Sequence, residues 1–284
     1  MEAKPAGDGT QAALWNGSAA RGWTGAQDLL EAMYRPLEAV LADAAGPGAR
    51  VLDIGCGTGP TTLAVARRVG PAGRCVGVDV SAPMLEAAEE RAARAWDAST
   101  DAPVTFVRAD AATHPFEPAG FDLLVSRFGV MFFEDVRAAF AHLRQAGTDA
   151  ARLRFVTWRG VDENPFMTTA ERAVASLLPR LPPRVPDAPG QFGLARPDLV
   201  RGSLESAGWG DVDIQPLDLE CAFPATELDR YLALLGPVGR ALQEADDETR
   251  AKVIETARVA FEPYLRGGEV RFTAACWRID ARAA

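Results

Sequence analysis

Apolar residues along this chain alternate between short continuous runs and longer stretches that have a helical period. Residues 26–44 repeat Leu and Met at helical spacing, and Pro36 predicts a kink within that helix. The runs RVLDI at 50–54 and RCVGVDV at 74–80 are typical of buried strands. Between them, Pro60 and TTLAVARRVG predict a helix that ends at a glycine.

The same alternation continues as far as Trp158. SAPMLEAAEERAARAW predicts a helix with Ser81 as its N-cap, and FEDVRAAFAHLRQAG predicts another. VTFVRAD, FDLLVSRF and ARLRFVTW are predicted to be the third, fourth and fifth strands. Strands that alternate with helices at this spacing predict an α/β fold with a parallel sheet and helices on both faces.

The pattern changes after Trp158. A short predicted helix, FMTTAERAVASLL, leads into PRLPPRVPDAPG, whose prolines predict a stiff, extended covering segment. ARPDLVRGSLESAGW predicts a helix, and DVDIQPLDLECAF and EVRFTAACWRIDA predict the sixth and seventh strands. We therefore predict a single domain, residues 1–284, made of an N-terminal cap at 1–25, a core at 26–160, a lid insertion at 161–205, and the last two strands at 206–284 with a helical insertion at 226–266.

Composition narrows the classes of partner. The net charge of −9 and the absence of a long basic run disfavour nucleic acid, because neutralising phosphate supplies most of the affinity of nucleic-acid binders. No stretch approaches the roughly 18–20 apolar residues that span a bilayer, and the N-terminal segment lacks the apolar region of a secretory leader. The four scattered cysteines suggest neither a zinc site nor a disulfide framework, so a cytoplasmic location is expected.

The stretch VLDIGCGTGPTT places three glycines directly after the first predicted strand. Gly55, Gly57 and Gly59 allow backbone angles that other residues avoid, and they let a ligand lie on the main chain. The helix that follows adds free N–H groups at its positive end. The spacing is not that of a dinucleotide-binding turn, since position 60 is proline, and no P-loop lysine follows. Asp53 is instead placed to meet a cation, such as an amine or a sulfonium.

Two more carboxylates end the next two predicted strands. Asp79 lies where an acid accepts the two ribose hydroxyls of an adenosine. Asp110 can accept from an adenine amino group beside the backbone N–H of Ala111, and Val80 and Met84 can enclose the base. Three acids and a glycine turn at one sheet edge predict a pocket for an adenosine that carries an amino acid.

The motifs VLDIGCGTG, VGVDVSAPML, FVRADA and FDLLVSRFGVMFF, in this order, resemble those of class I S-adenosylmethionine-dependent methyltransferases. The likeness covers residues 25–160 and is closest to the branch with ubiquinone- and menaquinone-biosynthesis-type enzymes. It implies a seven-stranded Rossmann-like sheet of order 3-2-1-4-5-7-6 with an antiparallel last strand. It also implies S-adenosyl-L-methionine as the cofactor. WNGSAARGW resembles the family's N-terminal cap, whereas RQAGTDAARLRF lacks the usual proline-glycine-glycine turn.

The predicted cofactor residues combine the glycine turn, the three acids and their neighbours. Gly55 to Gly59 are expected to hold the methionyl portion, and Asp53 to orient its amino group. Cys56 is interpreted as a small filler of the turn rather than a nucleophile. The full predicted set is Asp53, Gly55, Cys56, Gly57, Gly59, Asp79, Val80, Met84, Asp110, Ala111 and Ser126.

Catalytic residues are less well defined by the sequence. Arg127 follows the fourth strand and either pairs with an acidic substrate group or is structural, and His114 is the second candidate. No histidine is well placed as a general base, so alignment and desolvation are expected to carry the reaction. No metal site is predicted. The predicted acceptor-lining residues are aromatic: Trp15, Trp23, Phe128, Phe132 and Trp158.

The leading interpretation is methyl transfer to a small, partly apolar molecule by a monomer or homodimer. One alternative is a non-methylating, cyclase-like enzyme that keeps the cofactor bound. A nicotinamide-dependent oxidoreductase is disfavoured by the glycine spacing. Methylation of protein or RNA is disfavoured by the acidic charge and by the covering segments.

Overall fold

The computed structural model of the protein describes residues 10–185 and 187–284, apart from the side chains of Thr10 and Ala12. The first part of the predicted cap, residues 1–9, therefore lies outside the described residues, as does Pro186 of the proline-rich segment. Among the described helices, none combines the length and the apolar character that a membrane-spanning helix requires.

Helices of the described chain alternate with strands in the first half and cluster in the second half. α1 and α2 belong to the predicted cap, and α9, α10 and α11 occupy the predicted 226–266 insertion. Their bounds are α1 Thr10–Trp15, α2 Ser18–Gly25, α3 Gln27–Ala42, α4 Pro60–Val69, α5 Ala82–Ala95, α6 Val136–Ala146, α7 Phe166–Val174, α8 Pro197–Ser206, α9 Leu228–Leu234, α10 Gly236–Leu242 and α11 Asp247–Ala260.

The strands of the described residues form one sheet of order β3-β2-β1-β4-β5-β8-β6. β1 to β5 pair in parallel, and β8 runs antiparallel to both β5 and β6. The strand bounds are β1 Arg50–Ile54, β2 Arg74–Asp79, β3 Val104–Arg108, β4 Phe121–Arg127, β5 Gly147–Trp158, β6 Trp209–Pro224, β7 Leu265–Arg266 and β8 Glu269–Ala283. The predicted order is confirmed, with the two-residue β7 as an added strand that pairs only with β8.

Two details differ from the predicted elements. The continuous helical pattern at 226–266 is divided into three helices: one break falls at Gly236, whose φ is +68°, and a second falls between Leu242 and Asp247. β5 begins at Gly147, directly after α6, so no separate turn stands where the family usually has proline and glycines. Both changes affect connections rather than the sheet order.

The strand order places a crevice at the carboxyl ends of β1 and β4. β1 lies between β2 and β4, and the chain passes from one half of the sheet to the other at this point. Ligands of open α/β sheets bind at such a switch point. Gly55 makes the crevice possible, because a Cβ at this position would lie 2.7 Å from the Cα of Gly129 and because its φ is +67°.

The described part of the cap is attached to other parts of the molecule at two points. The Asn16 side chain donates to the carbonyl of Val80 at 3.1 Å and accepts from the N–H of Ala82 at 3.0 Å. Gly22 lets α2 approach α9, since a Cβ there would lie 2.2 Å from the carbonyl oxygen of Leu234. The cap therefore connects the β2–α5 loop to the 226–266 insertion.

An aromatic cluster holds the second half of the chain on the sheet. Phe166 of α7 stacks on Phe272 of β8 with ring centroids 3.8 Å apart. It also contacts Tyr231 of α9 and Phe261 after α11. Burial of such rings contributes several kcal/mol through the hydrophobic effect. The insertions are thus packed parts of the fold.

Candidate functional site

The predicted acids meet at one cavity of about 620 Å³ at the carboxyl edge of the sheet. This volume lies within the roughly 300–1,000 Å³ range of small-molecule sites. Its wall includes the glycine turn, the three strand-end acids and several aromatic side chains. Of the predicted residues, those that line it are Trp15, Trp23, Asp53, Gly55, Cys56, Gly57, Asp79, Val80, Met84, Asp110, Ala111, Arg127, Phe128 and Phe132.

Asp79 fixes the shape of the glycine turn. Its Oδ2 accepts from the backbone N–H of Gly57 and its Oδ1 from that of Ser81, both at 2.9 Å. Burial raises the pKa of Asp79, and these two backbone hydrogen bonds oppose that effect. Each carboxylate oxygen can accept a second hydrogen bond, so Asp79 keeps capacity for a pair of ligand hydroxyls.

Asp53 lies deeper and is only 2% exposed. Its Oδ2 accepts from the Thr62 hydroxyl at 2.6 Å, whereas its Oδ1 has no hydrogen-bond partner among the described residues. Burial raises the pKa of Asp53 to about 6, and the hydroxyl of Thr62 and the charge of Arg127 oppose the rise. A buried carboxylate with one unpartnered oxygen is suited to a cationic ligand.

Arg127 lies on the cavity wall and is largely buried. Its Nη1 is 3.6 Å from Oε1 of Glu38 on α3, which is longer than a hydrogen bond. Neither atom has a hydrogen-bond partner in the described part of the chain. Burial lowers the pKa of Arg127 and raises that of Glu38, although each charge stabilises the other. The guanidinium therefore retains donors for a further anionic group.

The edge of the cavity formed by Asp110 is more open to solvent than the part formed by Asp53 and Arg127. Asp110 is exposed, and its Oδ1 accepts from the N–H of Ala112 at 2.9 Å, which holds the β3 loop in place. The side chain of Met84 reaches toward Gly57, at 3.6 Å from the position of a Cβ there. Val80, Met84 and Ala111 thus give this edge apolar surfaces for a flat ring, with a carboxylate at the rim.

Aromatic rings form the opposite wall. Trp15 lies edge-on to Trp23 and to Phe132, with centroid separations of 5.8 Å and 5.2 Å. Phe128 adopts a φ of +65°, a conformation that is uncommon for a bulky residue and that is concentrated at functional sites. Cap and core together provide an apolar chamber next to the charged floor.

Four predicted site residues do not line the cavity. Trp158 stacks behind Phe128 at 4.5 Å, and His114 lies beyond the β3 loop against Phe116. Gly59 faces Phe106 and Ala88, where a Cβ would approach to 3.0 Å. The fourth, Ser126, has a buried hydroxyl.

The Ser126 hydroxyl organises the turn behind the cavity. It donates to the carbonyl of Ile54 at 2.7 Å and accepts from the N–H of Gly129 at 3.1 Å. Ser126, like Gly59 and Trp158, therefore shapes the wall from behind, and its predicted contact with the cofactor stays a prediction.

Sequence reasoning missed several residues of the site. Glu38 pairs with Arg127, and Gln11 and Thr61 each place a buried oxygen at the wall without a hydrogen-bond partner in the described chain. Thr61 lies in the first turn of the helix after the glycine turn, and this position in the sequence could have predicted that it lines the cavity. Glu38 and Gln11 come from helices distant in sequence, and no local motif marks them. Among the described residues, no group of His, Cys, Asp and Glu is arranged to hold a metal ion.

Comparison with known proteins identifies the central segment. Residues 51–148 match the family described as "Methyltransferase domain". The chain is 30% identical over 141 residues to a 2-phytyl-1,4-naphtoquinone methyltransferase of Trichormus variabilis, covering 50% of this chain and 60% of that protein. It is 28% identical over 209 residues to a nocamycin O-methyltransferase of Saccharothrix syringae, covering 68% of this chain and 71% of that one.

A solved structure extends the likeness of the fold beyond the matched segment. The YcgJ protein of Bacillus subtilis superposes with a TM-score of 0.56 at 18% identity, over 88% of this chain and 98% of that chain. At this identity the similarity concerns the fold alone.

These findings confirm the predicted resemblance to class I methyltransferases of the quinone-biosynthesis type, together with the α/β fold. Residues 51–148 match a methyltransferase domain, which supports the prediction that S-adenosylmethionine is the cofactor. The roles of individual residues stay predictions.

Proposed function

We propose that this protein transfers a methyl group from S-adenosylmethionine to a small, partly apolar molecule. The observation that carries the proposal is the single cavity in which strand-end acids and a glycine turn face an aromatic wall. The charged side fits an adenosine with an amino acid, and the aromatic side leaves an apolar chamber for an acceptor. Both relatives above are named for methylation of small organic molecules, which supports the class of acceptor.

Residues of the charged side would hold the cofactor. Asp79 would accept the ribose hydroxyls with the lone pairs left by Gly57 and Ser81. Asp110 would accept from the adenine amino group, with Val80 and Met84 against the ring. The turn from Gly55 to Gly59 would carry the methionyl chain on its backbone. The bound cofactor supplies an activated methyl group on a sulfonium.

Residues of the aromatic side would place the acceptor and exclude water. Phe128 and Phe132 both line the cavity, and the cap brings Trp15 against Phe132 and Trp23 against Trp15. Holding two reactants in line lowers the activation free energy by about 7–11 kcal/mol in favourable cases. A carboxylate, thiolate or readily ionised phenol needs no strong base, so positioning is the main contribution we assign to the protein.

The acceptor is expected to be chosen in part by the cap, which lies outside the matched methyltransferase domain at residues 51–148. The 161–205 lid and the 226–266 insertion also lie outside that domain, but none of their described residues lines the cavity. Gln11, Trp15 and Trp23 of the cap line the cavity directly. We therefore expect exchange of the cap between related chains to change the acceptor while cofactor affinity persists.

The test is transfer of a labelled methyl group to a panel of phenols, carboxylates and thiols of low molecular weight. The proposal expects a labelled product with at least one acceptor, and strong product inhibition by S-adenosylhomocysteine. Asp79→Asn should remove turnover, while the exposed-site control Asp149→Asn should keep it. If the protein binds the cofactor with normal affinity and no panel member is ever methylated, the proposal loses its support.

The non-methylating alternative uses the same cavity. It is distinguished from methyl transfer by replacing S-adenosylmethionine with S-adenosylhomocysteine. A cyclisation or similar rearrangement would proceed equally well with S-adenosylhomocysteine, which has no methyl group to transfer. Methyl transfer requires S-adenosylmethionine. Comparing product formation with these two ligands, for any acceptor that reacts, decides between the two chemistries.

A further inference from the structure

We propose that a second cavity binds a short aliphatic chain of the acceptor and that Trp23 is the residue that admits this chain. The second cavity has a volume of about 80 Å³, and its wall includes residues of α2, α3, α7, α9 and α10. This inference rests on the proposed function and narrows its acceptor: the reactive head lies in the cavity described above, the first cavity, and the chain extends from it.

Trp23 of α2 connects the two cavities. Among the described residues, it is the only one that lines both of them. Elsewhere on the boundary, Tyr34 of the second cavity lies edge-on to Phe128 of the first, with ring centroids 5.7 Å apart. The wall between the cavities is therefore one side chain thick at Trp23 and two side chains thick at the Tyr34–Phe128 pair. A chain that leaves the first cavity at Trp23 enters the second.

The indole of Trp23 is held by packing alone within the described part of the chain. Its ring lies edge-on to that of Trp15 at 5.8 Å, and its N–H donates to none of the described residues. In contrast, the indole N–H groups of Trp96, Trp209 and Trp277 each donate to a backbone carbonyl, at 2.8, 3.0 and 2.8 Å. Because no such hydrogen bond has to break, Trp23 can rotate aside at the cost of its packing only.

The second cavity is suited to an apolar occupant. Leu30 and Phe166 are among the buried apolar side chains of its wall. The acid and the amide of the wall, Glu171 and Gln191, already accept hydrogen bonds from Arg184, at 2.6 Å and 3.0 Å. A charged group of an acceptor would compete with this network, whereas an aliphatic chain gains free energy by leaving water.

The size of the second cavity limits the length of the chain. An apolar cavity of about 150 Å³ binds benzene, and a water molecule occupies about 30 Å³ in the liquid. At about 80 Å³, the second cavity is too small for a ring and holds about three groups of the size of a water molecule or a methylene. We therefore expect about three carbons of the acceptor to lie beyond Trp23.

The test measures how affinity depends on chain length while S-adenosylhomocysteine is bound. 4-Alkylphenols and straight-chain carboxylic acids with one to eight carbons in the chain would be titrated by calorimetry, so that the result does not depend on one head group. Ala170→Leu adds three carbons at the wall of the second cavity, and Ala170 does not line the first. Ala175→Leu, at the exposed end of the same helix, is the matched control.

We expect the affinity of the wild-type protein and of Ala175→Leu to rise about three- to four-fold per methylene, until the chain fills the second cavity. In Ala170→Leu the rise should stop about three carbons earlier, so the longest chains should bind about 30- to 60-fold more weakly than to the wild-type protein. Both leucine variants should bind S-adenosylhomocysteine as the wild-type protein does, which shows that they are folded.

Trp23→Ala tests the boundary between the cavities. Removing the indole joins the two cavities, so this variant should bind a 4-alkylphenol whose chain ends in a phenyl ring, which the wild-type protein excludes. The circular dichroism spectrum shows whether the variant is folded. Exclusion of the phenyl-ended chain by folded Trp23→Ala would refute the role of Trp23.

Two further results would overturn the inference. The affinity of the wild-type protein could be independent of chain length for both head groups, or Ala170→Leu and Ala175→Leu could show the same dependence on chain length. Either result leaves the proposed function in place, since methyl transfer needs only the first cavity. Failure of the wild-type protein to bind S-adenosylhomocysteine would instead be evidence against the proposed function itself.

Discussion

Asp53 is a residue at which the requirements of folding and of binding oppose each other. Burial raises its pKa to about 6, so the fold favours the protonated form of this carboxyl. A cationic ligand favours the ionised form. In the unliganded protein, the contribution of Asp53 to the free energy of unfolding is therefore highest below its unfolded-state pKa of about 3.9, and it is lost as the pH rises through about 6.

Replacing Asp53 with asparagine should stabilise the unliganded protein. Asparagine keeps an acceptor for the Thr62 hydroxyl and carries no charge to desolvate. The pKa of Asp53 is about two units higher in the folded than in the unfolded state, so its ionisation lowers the free energy of unfolding by about 3 kcal/mol at most. We expect urea unfolding at pH 8 to show a higher free energy of unfolding for Asp53→Asn than for the wild-type protein, with the difference reduced to about half near pH 5 and lost below about pH 4. An Asp53→Asn variant that is less stable at pH 8 would contradict this.

Gly55 is the position of the turn that tolerates no side chain. Its φ is +67°, and a Cβ would approach the Gly129 backbone to 2.7 Å. We expect Gly55→Ala to lower the free energy of unfolding by about 2–4 kcal/mol, through strain and displacement of backbone, and to abolish cofactor binding. Urea unfolding and calorimetry measure the two effects.

Gly202 is the matched control for this substitution. It lies within α8, and a Cβ there would meet no atom within 4 Å. Gly202→Ala should therefore raise the stability by about 0.5–1 kcal/mol and leave binding unchanged. Equal effects of the two substitutions would show that the close approach of Gly55 to Gly129 does not prevent a side chain at position 55.

Elements of the core could be predicted from sequence because their signals are local. The run RVLDI, the glycine turn and the Ser81 N-cap each lie within one element, and the structure places β1, α4 and α5 accordingly. The division of 226–266 into three helices depends on Gly236 and on packing against α2 and α7, which no periodicity reveals. The Glu38–Arg127 pair joins α3 to β4 across 89 positions, so only the fold brings it together.

The cap is the element whose attachment is expected to control exchange of the cofactor. Asn16 holds it to the loop after β2, beside Asp79 and Val80. We expect Asn16→Ala to accelerate release of S-adenosylhomocysteine by up to about 30-fold, because two hydrogen bonds of about 1 kcal/mol each are lost. Stopped-flow fluorescence of Trp15 and Trp23 on the cavity wall reports the rate.

Ser99→Ala, in the exposed loop after α5, is the control and should leave the release rate as it is. A release rate for Asn16→Ala equal to that of the wild-type protein would mean that the cap does not limit exchange.

At the scale of the whole molecule, the strand order determines which residues meet. β1, β2 and β3 are neighbours in the sheet, so acids that end three successive strands converge on one edge, and β4 adds Arg127. The alternation of strands and helices in the sequence is sufficient to predict this convergence. The cap completes the other wall together with Phe128 and Phe132, and the packing of the cap and insertions follows from tertiary contacts of Gly22 and Phe166.

The most direct test of this account is calorimetric titration of S-adenosylhomocysteine into the purified protein and into Asp79→Asn. We predict one binding site per chain for the wild-type protein. For Asp79→Asn, with an unchanged circular dichroism spectrum, we predict affinity at least about 100-fold weaker, because a charge-assisted acceptor for the ribose and the anchor of Gly57 are both lost. The absence of wild-type binding, or equal affinity in a folded Asp79→Asn, would contradict the central claim that these acids hold an adenosine.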